Sequence, residues 1–160
     1  MPRWCGRFCA QGGVPSGRAE VGVSTMTEGS QRVLWVMRVL SAVLLLITGG
    51  IHLYLIFNGV GGILGVAFAV NGVAGIVLAI AMIALRGRLL LLASVLSLLF
   101  LIASLLALVL ALTVGLFGIT ETWDFMLVPQ TVIVESIGIV VLAITTVLLP
   151  RAVRRPGVPR

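Results

Sequence analysis

Residues 41–58 read Ser-Ala-Val-Leu-Leu-Leu-Ile-Thr-Gly-Gly-Ile-His-Leu-Tyr-Leu-Ile-Phe-Asn. They form most of an apolar run from about Val33 to Phe57, and its only histidine, His52, is the only one in the chain. At about 1.5 Å per residue the run is longer than the roughly 30 Å hydrocarbon core of a bilayer. Its length and hydropathy predict a helix that crosses a membrane with some tilt.

The rest of the chain agrees with that reading. Of its 160 residues 60% are hydrophobic and 10% charged, and the mean hydropathy is +1.24. A soluble domain of this size could not hide so much apolar surface. The net charge of +6 does not mark a nucleic-acid partner, because all eleven basic residues are arginines placed up to Arg38, at Arg86 and Arg88, and from Arg151 onward. That is the pattern of membrane topology, and it leaves the lipid bilayer as the partner that composition implies.

Residues 1–32 mix Arg, Gly, Pro, Ser and Gln without an apolar period and are read as a disordered cytoplasmic tail, with Met26 as an alternative start. Cys5 and Cys9 lie in that tail without the second Cys or His pair a zinc site needs. A cleaved signal peptide is the competing reading of the first run. It is set aside because the apolar stretch continues past Gly49-Gly50 with no Ala-x-Ala site. Three more spans follow, at about 63–85, 89–117 and 129–149, and then a basic tail over 150–160. The fold class is therefore all-α: a polytopic membrane protein with four transmembrane helices in a bundle.

The short 58–62 joint makes the first two helices an antiparallel hairpin. In the second helix Gly61, Gly65, Ala69 and Gly72, with Gly75 one step round, form a small-residue row that suits close helix packing. Self-association, or docking into a larger membrane complex, is expected through that row. Ser94, Ser97 and Ser104 share one face of the third helix. Trp123 is placed to anchor the loop after it at the interface. With four crossings every arginine falls on the same side and the loops at 58–62 and 118–127 carry none, so both termini are expected to face the cytoplasm of a bacterial inner membrane.

Two polar stripes carry the candidate site. Ser41, Thr48 and His52 share a face of the first helix, and Thr131, Glu135, Gly138 and Thr145 share one of the fourth. Polar side chains at membrane depth turn towards protein or a water-filled cavity. His52 lies six residues before Asn58 and Glu135 six after Pro129, so both sit about 9 Å inside the same boundary. Asn71 lies deeper. A carboxylate at depth costs at least about 2.5 kcal/mol, so Glu135 is protonated, paired with His52, or in contact with water. A structural hydrogen bond between helices, a proton- or substrate-handling pair, and no contact at all remain open. A single histidine argues against a metal centre, and no cofactor is expected.

No nucleotide loop, metalloprotease motif, membrane Cys-x-x-Cys or nucleophile elbow is present in the sequence, so no enzyme class is indicated. Small multidrug resistance transporters also have four helices and one membrane carboxylate. Theirs is in the first helix, whereas Glu135 is in the fourth, and their function is not transferred. The segments Gly49-Gly50-Ile51-His52-Leu53-Tyr54-Leu55 and Gly115-Leu116-Phe117-Gly118-Ile119-Thr120-Glu121 resemble a group of uncharacterised actinobacterial four-helix membrane proteins over about residues 33–149. The resemblance implies the fold and a recurring pattern around His52 and Thr120-Glu121, but no activity. The leading expectation is an accessory or structural membrane subunit. The alternative is a small proton-coupled transporter using Glu135 and His52.

Overall fold

The computed structural model describes residues 17–115, 122–124 and 126–153, with side chains from Gly29 to Pro150 within those ranges. It is all-α: α1 (Gly17–Phe57), α2 (Gly62–Ala84), α3 (Gly87–Thr113) and α4 (Val128–Val153). Each contains a stretch long and apolar enough to cross a membrane, Gly29–Phe57 in the case of α1.

Glycines in the left-handed region set the joints. After α1, Gly59 adopts φ +95°, its amide bonds the Ile56 carbonyl, and the Val60 amide reaches back to Leu55. This C-terminal cap consumes the last carbonyls of the helix and turns the chain within four residues. Gly87, at φ +58°, opens α3 after the two-residue Leu85-Arg86 joint. Gly115, at φ +81°, follows the end of α3 at Thr113, so the third span is shorter than the 89–117 expected. Residues 116 and 117 lie outside the described residues, as do Glu121 and the Cys5–Cys9 pair.

Two other boundaries differ from expectation. Helix α1 begins at Gly17, so 17–32, read as part of a disordered tail, are helical and Met26 falls inside the helix. Once a helix is nucleated in the apolar run, adding residues at its end costs little, and no proline lies between Arg18 and Arg32 to stop it. Helix α4 runs through Pro150 to Val153; a proline this close to the end forfeits one backbone bond but keeps a helical φ.

The helices close a ring, α1 against α2 and α4, and α3 against α4 and, less extensively, α2. The α1–α2 crossing brings backbone against backbone. A Cβ on Gly75 would lie 3.0 Å from the Leu45 carbonyl oxygen and 3.1 Å from Gly49 Cα, and one on Gly49 would lie 2.9 Å from the Gly72 carbonyl oxygen. Of the small-residue row, Gly72 and Gly75 are therefore occupied by α1, and that part of the face is not free for a second chain. Gly65 is crowded only by the neighbouring Val60 carbonyl, Gly61 is open, and Ala69 is half-buried.

Burial is inverted with respect to polarity. Ser41, Thr48, His52, Ser94, Ser97, Ser104, Thr131, Glu135 and Thr145 are buried, while Val66, Val70, Val73 and Val77 of α2 and Leu89, Leu92, Leu96 and Leu99 of α3 are exposed. That is the arrangement expected when the surroundings are hydrocarbon. Trp35 and Trp123 project outward near opposite ends of the bundle, where aromatic residues favour a membrane interface.

The end that carries Arg32, Arg38, Arg86 and Arg88, here the basic end, is filled by an apolar core around Leu45, Met82, Leu90, Ala93, Leu142 and Leu149. Arg38 closes it. Its Nε donates to the Met82 carbonyl (3.0 Å), and its Nη2 to the carbonyls of Met82, Ile83 and Leu85 (2.9 Å each). A guanidinium there satisfies the last carbonyls of α2 and sits at the negative end of its dipole. Arg38→Met is expected to lower stability by about 1.5 to 3 kcal/mol, the range for losing hydrogen bonds to a charged group, seen as a lower thermal unfolding midpoint in detergent.

Candidate functional site

The opposite, far half of the bundle is less tightly filled. A chamber of about 90 Å³ lies between the helices there, room for about three water molecules. His52 and Leu55 of α1, Leu64, Phe68 and Asn71 of α2, Ser104 and Ala111 of α3, and Met126, Val128 and Thr131 at the start of α4 are among its walls. Alanines on α3, and the looser α2–α3 packing, leave the space. Its polar groups come from all four helices, one each from His52, Asn71, Ser104 and Thr131.

Helical spacing explains how each gets there. His52 lies one turn after Thr48, and its Nδ1 is 2.9 Å from the Thr48 carbonyl oxygen. A carbonyl can only accept, so Nδ1 carries the hydrogen, and in the neutral ring Nε2 is left as an acceptor. The ring stands edge-on to Phe68, with centroids 5.3 Å apart and planes at 78°, which fixes its tilt. Thr131 donates its hydroxyl to the Leu127 carbonyl at 2.8 Å. Leu127 itself adopts φ 66°, a conformation that costs a non-glycine residue about 1 to 2 kcal/mol. This turn sets Met126 against the chamber.

Glu135 sits one turn deeper than Thr131 and is wholly buried. Ser104 donates a hydrogen bond to its Oε1 at 2.6 Å, while Oε2 has no partner among the described residues. Leaving a charged carboxylate buried with one oxygen bare is costly, so the protonated acid is the form that fits this environment. Because Ser104 also lines the chamber, it links the carboxyl to that space. The structure contains no hydrogen bond or ion pair between His52 and Glu135. The two stripes do lie on neighbouring helices; His52 lines the chamber itself, and Glu135 lies behind Ser104.

The remaining polar groups act as seams. Ser41 and Thr145 lie 3.4 Å apart across α1 and α4, and Ser94 and Thr146 2.7 Å apart across α3 and α4. Thr48 Oγ1 and Ser97 Oγ are buried without partners among the described residues. Among the described residues no group of three or more His, Cys, Asp or Glu could hold a metal.

No known protein family, curated protein or solved structure matches the chain. Function must therefore be argued from the chamber alone. Three features were not read from the sequence: at the chamber, Ser104 as the partner of Glu135 and Phe68 as the support of His52, and at the α1–α2 crossing, Gly49 as the counterpart of Gly72 and Gly75. A depth argument could have found the first, since Ser104 lies nine residues before the end of α3 and Glu135 seven after the start of α4.

Proposed function

We propose that this chain is a multi-pass protein of a bacterial inner membrane, with both termini in the cytoplasm, that exchanges a small solute against a proton held at Glu135. The observation that carries the reading is the wholly buried carboxyl, bonded on one oxygen and bare on the other among the described residues, joined through Ser104 to a mainly apolar chamber that carries four polar side chains. Structural glue needs no empty space next to it. A carrier does, and a chamber of about 90 Å³ suits a solute of a few heavy atoms. The arginine distribution supports this orientation through the positive-inside rule, and with it an outer-side position for the chamber.

In this mechanism the solute occupies the chamber and takes a hydrogen bond from Asn71, with His52 Nε2 and the Thr131 hydroxyl oxygen, whose hydrogen is held by the Leu127 carbonyl, accepting. Its arrival alters the environment of the Ser104–Glu135 pair and shifts the carboxyl between holding and releasing its proton. The test is a panel of small polar solutes applied to vesicles that contain the purified protein and an internal pH dye. At least one solute is expected to change internal pH only when the protein is present. A panel without any such response would count against transport.

A second reading, an accessory subunit whose buried polar groups only bind its helices together, is favoured by the Ser41–Thr145 and Ser94–Thr146 seams. It predicts that substitution of Glu135 alters assembly or stability and no flux.

A further inference from the structure

The basic end offers a second site, unrelated to the chamber. On the outward side of the α1–α2 crossing an open groove of about 290 Å³ is lined by Ala42, Leu46, Ala79, Ile80, Ile83 and Ala84. Three of the six are alanines, so the two helices leave a furrow where larger side chains would have made a ridge. Ala42 and Leu46 follow Arg38 at one and two helical turns, which puts the guanidinium at the end of the furrow. Its bonds to the carbonyls of Ile83 and Leu85 place it there from the α2 side as well.

Arg38 is only partly used by the protein. Nε and Nη2 make its four hydrogen bonds, and Nη1 makes none to a described residue. Arg86 follows directly on Leu85, and Arg86 and Arg88 are exposed. The only acidic side chains described, Asp124 and Glu135, belong to the far half. Arg38 at the end of the apolar furrow, and Arg86 one residue beyond the Leu85 carbonyl that Arg38 bonds, thus have no counterion among the described side chains. Arginine rather than lysine suits the planar, two-pronged recognition of phosphate.

We propose that this is a binding site for one anionic phospholipid, its phosphate held between Arg38 and Arg86 and one acyl chain laid in the groove between α1 and α2. A headgroup that carries its own ammonium would bring a third cation to the pair, so a net negative headgroup is preferred. General attraction of basic residues to an anionic leaflet needs no groove. The site differs in requiring both parts together.

The test is native mass spectrometry of the full-length protein released from bilayers of equal phosphatidylglycerol and phosphatidylcholine with identical acyl chains. Wild-type protein is expected to retain one phosphatidylglycerol per chain in several-fold preference. Arg86→Gln is expected to reduce that preference severalfold. So is Ala84→Trp, which fills the groove from an exposed position and leaves both arginines in place. Equal retention of the two lipids by wild type would overturn the proposal. So would a preference lost in Arg86→Gln but kept in Ala84→Trp, because that is diffuse electrostatic attraction without a seated chain.

Discussion

Gly49→Leu is expected to prevent the bundle from assembling, while Gly50→Leu, at the next residue, leaves it intact. A Cβ at position 49 would lie 2.9 Å from the Gly72 carbonyl oxygen and 3.5 Å from the Ile76 amide nitrogen. The nearest obstacle is backbone, so it cannot rotate away, and α1 and α2 must move apart along their whole crossing. Overpacking in a tight core costs about 1 to 3 kcal/mol and occasionally more. With two backbones involved the loss is expected at or above the top of that range. At Gly50 a Cβ meets nothing within 4 Å, and replacing a helical glycine by leucine gains up to about 1 kcal/mol of helix propensity. Monodispersity and thermal unfolding midpoint in a mild detergent read both variants. Similar behaviour of the pair would mean that α1 does not meet α2 at this face.

Glu135→Gln carries the largest functional expectation. The amide keeps the size of the side chain and can still accept the Ser104 hydroxyl, so the fold is expected to persist with an unchanged unfolding midpoint. It cannot take up or give back a proton, and solute-linked pH change in vesicles is expected to fall to the level of protein-free vesicles. Glu135→Leu removes the buried carboxyl as well. It leaves the Ser104 hydroxyl to bond back to the carbonyl one turn before it, so stability is expected to stay within about 1 kcal/mol of wild type. If Glu135→Gln unfolds the protein and flux is unaffected in what remains, the accessory reading takes over.

How much of this was legible beforehand follows physical lines. The four apolar segments could be seen because membrane length and hydropathy are local quantities, and Gly59 and Gly115 end helices for reasons contained in a few residues. The inward stripes Ser41–Thr48–His52 and Thr131–Glu135–Thr145 were also legible, since a helix repeats its faces by spacing alone. What spacing does not give is which stripe meets which. Ser104 bonds Glu135 because α3 and α4 are neighbours at one depth. Gly49 rather than Gly50 meets Gly72 because of the rotation of α1 about its own axis. Arg38 illustrates the same limit. In sequence it is one more basic residue at the start of a span, and only the antiparallel return of α2 brings the Met82, Ile83 and Leu85 carbonyls to it. The chamber, too, is a property of four helices at once, made by alanines on α3 that individually carry no signal.

The most direct test of the central claim, that Glu135 holds a proton reachable from the chamber, is infrared spectroscopy of the protein in lipid bilayers as H2O is exchanged for D2O. The account predicts a carboxylic C=O band that is absent in Glu135→Gln and shifts on exchange as fast as the exposed loop amides. An absent Glu135-dependent band, or one that stays unshifted long after the loops have exchanged, would contradict it and mark the carboxyl as a sealed structural bond.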